Sequence, residues 1–246
     1  MLSGAWNFRE VSGLRTKDGR RVQPGRLFRS SELSRLDDDG QIALTSLGIT
    51  DVFDLRDLAE VERHGADRLP DGVRVHSMPF NLTSAGFAPH EFAEQIAADP
   101  TGYMCSIYSS MPVSAGAQAA VAAIIEILSD RRRPRSSVLV HCAAGKDRTG
   151  WVIAVVLSAL GVVRDDIYRD YELSNNGIAA LANRMSAVYG VPDDKARTHL
   201  YGVDVEYLGA ACAVAKAEFG SINAYLSACN ITDGQVSDMR QRLLTA

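Results

Sequence analysis

The run His141-Cys142-Ala143-Ala144-Gly145-Lys146-Asp147-Arg148-Thr149-Gly150 places a thiol and a guanidinium in a Cys-x5-Arg arrangement with a glycine between them. The residues before it, Ser137 to His141, read as a short buried strand. The residues after it, Arg148 to Leu160, read as a strongly apolar helix ended by Gly161. A helix N-terminus carries unpaired backbone N–H groups and a partial positive charge. A tight loop running into it can wrap those groups around an oxyanion. Gly145 lets the backbone turn at little steric cost. Cys142 starts this cradle, where thiolate is favoured over thiol. The planar fork of Arg148 suits two phosphate oxygens.

This constellation fits nucleophilic phosphoryl transfer without a metal. The Cys142 thiolate attacks phosphorus, and water hydrolyses the phosphocysteine that results. Ala143, Ala144, Gly145, Lys146, Asp147 and Arg148 are the candidate phosphate-binding residues, through backbone amides and the guanidinium. Thr149 is placed to donate a hydrogen bond to Cys142, and His141 to fix the orientation of that cysteine. The leaving oxygen needs a proton, so a carboxylic acid is expected nearby. Asp147 lies inside the cradle and is the first candidate. Asp54, at the end of a predicted strand, is the second; its alternative role is an ion pair with Arg56 or Arg9. Lys146 adds a second cation, which would favour polyanionic substrates.

The string HCAAGKDRTG resembles the HCxxGxxR[ST]G signature of the protein tyrosine phosphatase superfamily. Asn7-Phe8-Arg9, Arg26 to Ser30, Asp54 to Arg56, Lys146 to Arg148 and Asp170 to Asn175 are similar to segments of a narrower group. That group is the bacterial tyrosine and lipid phosphatases of the mycobacterial protein tyrosine phosphatase B type. The resemblance implies a cysteine-dependent phosphatase fold and no cofactor. It also implies substrates that are phosphotyrosine proteins, with phosphoserine, phosphothreonine and phosphoinositides as further classes. It supports Asp147 as the acid, since no Trp-Pro-Asp loop is present. It adds export without a recognisable signal to the cytoplasmic localisation that composition suggests. A phosphoinositide-preferring enzyme, a non-catalytic phosphate-binding module, an arsenate reductase and a sulfurtransferase are the rival readings. The position of the cradle, starting at residue 142, argues against the reductase. The presence of both Cys142 and Arg148 argues against a pure binder.

The elements that must hold these residues follow from composition and pattern. With 246 residues, 46% hydrophobic, the chain can bury a sizeable core. Its 26 basic and 30 acidic residues leave a net charge of −4, which excludes a generic nucleic-acid binder. No apolar run is long enough for an integral membrane segment. Cys105, Cys142, Cys212 and Cys229 are too scattered for a disulfide framework or a zinc site, and three of them read as core thiols. His64, His76, His90 and His199 show no ligand spacing. Short strands are expected at 20–23, 26–30, 49–55 and 73–79, and short helices at 38–47 and 56–63. Residues 80–113 read as a loop-rich insertion with one or two helices, a candidate lid. Ser114 should cap a helix to Ser129, Arg131 to Arg135 should form a solvated loop, and nearly everything after Asp165 should be helical. Thr232 and Gln235 form a capping-box pattern. The expected architecture is one α/β domain over residues 1–246. Its central, mainly parallel sheet is flanked by helices, with a helical C-terminal part and the site at the carboxyl edge of the strand ending at Cys142.

Overall fold

The computed structural model describes residues 2–81, 99–189 and 198–245. Its central strand is β5 (Val138–His141), apolar as a strand covered on both faces should be. It pairs in parallel with β2 (Leu27–Ser30) on one side and β3 (Asp51–Asp54) on the other. β4 (Arg74–Ser77) extends the sheet in parallel beyond β3, and β1 (Arg9–Glu10) closes the opposite edge antiparallel to β2. The order is β1-β2-β5-β3-β4. Side chains alternate across each strand. Phe28, Val52 and Leu139 enter a smaller core with Leu36 and Leu44. Leu27, Phe53, Val138 and Val140 face a larger core built with the long helices. The register aligns Ser30 and Asp54 with His141, so three chain segments meet where the cradle begins.

The helices start where the sequence supplies caps. Asp37 caps α1 (Asp38–Ser46), and Asp57 with Glu60 forms a capping box on α2 (Leu58–His64). α3 (Pro100–Ser110) precedes α4 (Ala115–Ser129), which Ser114 caps as expected. α5 (Asp147–Leu160) is buried on nearly every side and ends at Gly161 in a left-handed conformation. α6 (Arg164–Glu172), a 3-10 turn (Leu173–Gly177), α7 (Ile178–Tyr189), α8 (Thr198–Tyr201), α9 (Val205–Phe219), α10 (Ile222–Ala228) and α11 (Asp233–Leu243) follow. Thr232 and Gln235 complete the predicted capping box on α11. Among the described residues no single helix is long and apolar enough to cross a membrane.

Several local expectations change. The strand expected at 20–23 is replaced by isolated bridges, because Arg21 meets Arg15 while Val22 meets the distant Leu244. The antiparallel edge is Arg9–Glu10 instead. Of the apolar residues that suggested α1, only Leu44 is buried, whereas Ile42 is 63% exposed. Much of the 80–113 insertion, 82–98, lies outside the described residues. Its described end forms α3, whose Met104, Ile107 and Tyr108 join the larger core, and which packs against α9. In the arginine-rich loop, Arg133 reaches the buried Asp51, while Arg131 and Arg132 pair near the surface. Cys212 is exposed and Cys105 half-buried, so of the three thiols read as core only Cys229 is buried. His64 meets Glu32, and His76 meets Asp51 and stacks on Phe53. His90 and the side chain of His199 lie outside the described residues.

Candidate active site

The loop from Cys142 to Lys146 joins β5 to the N-terminus of α5. Gly145 has φ +67, and a Cβ there would lie 2.0 Å from the Ser30 carbonyl oxygen. Both the backbone conformation and the close approach of β2 therefore require glycine. Donors from outside the loop hold its carbonyls. Asn7 Nδ2 donates to the carbonyls of Ala144 (3.1 Å) and Gly145 (3.0 Å). Arg29 Nη2 donates to Gly145 (2.8 Å), and the backbone N–H of Glu32 donates to Ala143 (3.0 Å). In a planar trans peptide the N–H points away from its carbonyl. Carbonyls drawn outward thus leave the amides of 144–146 directed inward. Among the described residues, no acceptor meets the N–H groups of 143–147. A row of buried, unaccepted donors at a helix N-terminus is an oxyanion cradle.

The supporting arginines are themselves fixed. Asp170 accepts from Arg29 (2.7 Å) and from Arg9 (2.9 Å), and Arg9 holds the side-chain oxygen of Asn7 (2.6 Å). The Arg29 and Arg9 guanidinium groups hold the Asp170 carboxyl below the usual range although burial pushes it up. Asn7 itself sits at φ +53, a left-handed conformation that asparagine tolerates.

Cys142, 2% exposed, opens the cradle. Arg148 is held side-on by Glu60, with Nη1 and Nη2 each 2.5 Å from a carboxylate oxygen, and by the Leu55 carbonyl at 3.2 Å. A bidentate pair of this kind fixes the guanidinium plane. Glu60 is the partner that sequence reading missed. Its signal was present in the Asp57-x-x-Glu60 capping box, which marks a helix start but not the arginine it serves.

The two carboxyl candidates separate. Asp54 accepts from the Arg56 backbone N–H (2.9 Å), Nε (2.9 Å) and Nη2 (2.8 Å), so both its oxygens are engaged by Arg56. It lies 3.8 Å from His141 Nδ1 and belongs to the cluster behind the cradle. Asp147 stands at the first turn of α5. Its Oδ1 accepts from Tyr108 Oη and from Lys146 Nζ, both at 2.8 Å. Its Oδ2 has no donor among the described residues. The ion pair that sequence reading offered as the alternative role of Asp54 is the one observed.

Lys146 and Thr149 also depart from expectation. The Lys146 ammonium is buried on Asp147 and the Gly202 carbonyl (3.2 Å) rather than standing open to a substrate. The Thr149 hydroxyl is buried with no hydrogen-bond partner among the described residues, so the bond expected to Cys142 is not formed in this structure.

His141 is fully buried, with Nε2 2.8 Å from Asp67 and Nδ1 3.2 Å from the Cys142 carbonyl. Asp54, Asp67 and His141 lie close enough together to ligate a metal. Arg56, however, already donates to both carboxylates. Burial alone would lower the His141 pKa, but Asp67 and Asp54 outweigh it and raise it from 6.5 to about 9. A raised folded-state value stabilises the fold fully below about pH 6.5 and loses that contribution as pH rises through about 9. The wild type should accordingly lose thermal stability between pH 7 and 9.5 more steeply than His141→Asn. Parallel melting curves for the two proteins across that range would contradict the ion pair.

Comparison with known proteins agrees with the geometry. A model of the tyrosine phosphatase family matches residues 1–245. The chain is 40% identical to the triple specificity protein phosphatase PtpB of Mycobacterium tuberculosis over 278 residues, covering 99% of this chain and 98% of that protein. It is 31% identical to a putative tyrosine-protein phosphatase of Cupriavidus necator, covering 89% and 80% respectively. A tyrosine-protein phosphatase of Nostoc commune is 24% identical over 87% of this chain and 73% of its own length. A full-length match together with a cradle of this form means that the chain belongs to the tyrosine phosphatase family and is a protein-tyrosine-phosphatase.

Proposed function

We propose that this protein hydrolyses phosphomonoesters, phosphotyrosine first among them, through a cysteinyl-phosphate and without a metal. The observation that carries the reading is the row of unaccepted amides at 143–147, closed by the Glu60-held guanidinium of Arg148. The Cys142 thiolate forms a P–S bond as the P–O bond to the leaving oxygen breaks. Asp147 gives its proton to that oxygen through Oδ2. The loop amides and Arg148 take the charge that spreads over the equatorial oxygens. Water then attacks phosphorus, the Asp147 carboxylate accepts its proton, and the P–S bond breaks to return the thiolate. His141 Nδ1 lies 3.2 Å from the Cys142 carbonyl and Asp67 holds its other nitrogen, so the imidazole fixes the backbone that carries the sulfur.

The test is hydrolysis of 4-nitrophenyl phosphate in excess chelator, with acid quench during turnover. Chelator-resistant activity with phosphate bound covalently to Cys142 is the expected result. Chelator-sensitive activity, or no covalent phosphoprotein, would overturn the mechanism.

A second reading, preference for phosphoinositides, is favoured by a different cation from the one the sequence suggested. Lys146 is engaged on the acid, but Arg184 of α7 donates only Nη2, to Glu32 (2.6 Å). Its Nε and Nη1 are buried without a partner among the described residues. Glu32 in turn donates its backbone N–H to Ala143 of the cradle, so one residue links Arg184 to the site. A second phosphate on the substrate would satisfy those donors. Arg184→Met should then lower the kcat/KM ratio of a bis- over a mono-phosphorylated soluble inositol lipid by about 10-fold. An unchanged ratio would exclude Arg184 from substrate recognition and remove the support for this second reading.

A further inference from the structure

Two buried tyrosines stand behind the carboxyl proposed as the acid. Tyr108 comes from α3 and Tyr171 from α6, and both are almost completely buried. Tyr171 Oη donates to Tyr108 Oη at 2.7 Å, and Tyr108 Oη donates to Asp147 Oδ1 at 2.8 Å. The rings meet edge-on, with centroids 6.2 Å apart. Each hydroxyl has one proton. Because Tyr171 gives its proton to Tyr108, the Tyr108 oxygen already serves as an acceptor. Its own proton is directed at Asp147. The chain thus has one direction and ends on the carboxyl. Burial, then Asp147, push both phenols well above their ordinary range, so they remain protonated donors.

The consequence concerns which oxygen carries the proton. Tyr108 and Lys146 both donate to Oδ1. A carboxylic acid proton on Oδ1 would collide with those donors. It is confined to Oδ2, the oxygen without a donor among the described residues. We propose that Tyr108, oriented by Tyr171, is a positioning residue for proton transfer: it locks the Asp147 carboxyl so that only Oδ2 presents the proton to the leaving oxygen. This rests on the reading of Asp147 as general acid. Tyr108 touches no reacting atom and acts through Asp147 alone.

The groups facing Asp147 are Lys146 and Arg148 on its own loop and helix, Tyr108 on α3, Tyr171 on α6 and Tyr207 on α9. Removing the Tyr108 phenol changes a single donor to Oδ1.

The experiment compares Tyr108→Phe with the wild type on two esters, phenyl phosphate and 2,4-dinitrophenyl phosphate. Phenol needs the proton as it leaves; dinitrophenolate does not. In Tyr108→Phe, kcat/KM on phenyl phosphate should fall by about 10-fold relative to the dinitrophenyl ester. Tyr171→Phe, which keeps the Tyr108 donor but frees its rotation, should show the same pattern at smaller amplitude. Equal losses of kcat/KM on both esters would mean that Tyr108 is only structural, overturning the proposal. Should Asp147→Asn lose nothing on phenyl phosphate, the acid assignment itself fails. That outcome is distinct from a working acid insensitive to Tyr108.

Discussion

Cys142→Ser is expected to lose hydrolysis of 4-nitrophenyl phosphate by at least about 10⁴-fold, because a nucleophile acting through a covalent intermediate has no substitute in the site. Serine fills nearly the same volume, but its hydroxyl is far less acidic than a thiol. Neither loop amides nor a helix N-terminus is sufficient to ionise an alcohol. The cradle should survive the change. Gly145, the Asn7 and Arg29 hydrogen bonds and the Glu60–Arg148 pair are all independent of the sulfur. Vanadate or phosphate binding by calorimetry should therefore persist in Cys142→Ser, and melting temperature should stay close to that of the wild type. Hydrolysis retained in this variant would place the nucleophile elsewhere.

Asp147→Asn should carry the next largest effect, and its size should depend on the leaving group. General acid catalysis contributes about 10²–10⁴-fold when the departing oxygen is basic. On phenyl phosphate, the variant should lose about 10²-fold or more; on 2,4-dinitrophenyl phosphate the loss should shrink towards about 10-fold or less. Asn keeps the acceptor that Tyr108 and Lys146 use but has no acidic proton. Asp54→Asn provides the contrast. Asp54 is engaged by Arg56 and stands beside His141, so its replacement should lower thermal stability and leave the dependence on leaving group intact. A leaving-group dependence that follows Asp54 instead of Asp147 would reverse the assignment. The two esters read chemistry and the melting curve reads packing, so the two aspartates are separated by the same set of measurements.

The parts of this site that lie within one short stretch of chain are legible in its sequence. A strand, a glycine loop and a helix follow each other directly between Val138 and Leu160, and the spacing of Cys142, Gly145 and Arg148 is fixed by that local geometry. The same holds for helix starts written as caps, at Ser114 and at Thr232. The apolar run of β5, Val138 to Val140, announces a strand covered on both faces, and the alternation of short strands with helices points to the α/β architecture.

What holds the cradle and orders its charges is not local. Asn7 reaches the loop from just before β1 and Arg29 from β2, Glu60 meets Arg148 from α2, and Tyr108 of α3, itself met by Tyr171 of α6, meets Asp147. An ion pair or hydrogen bond between distant segments leaves no period in the sequence, since its energy depends on a distance that only packing sets. For the same reason Lys146 looks like an open cation in the string yet folds onto Asp147, while Arg184, which no pattern singled out, keeps two donors without a partner among the described residues. The sequence by itself determined that a thiol and a guanidinium share an anion cradle on an α/β sheet. The tertiary structure decided which carboxyl keeps an oxygen without a donor among the described residues, because that depends on which neighbours already occupy its oxygens.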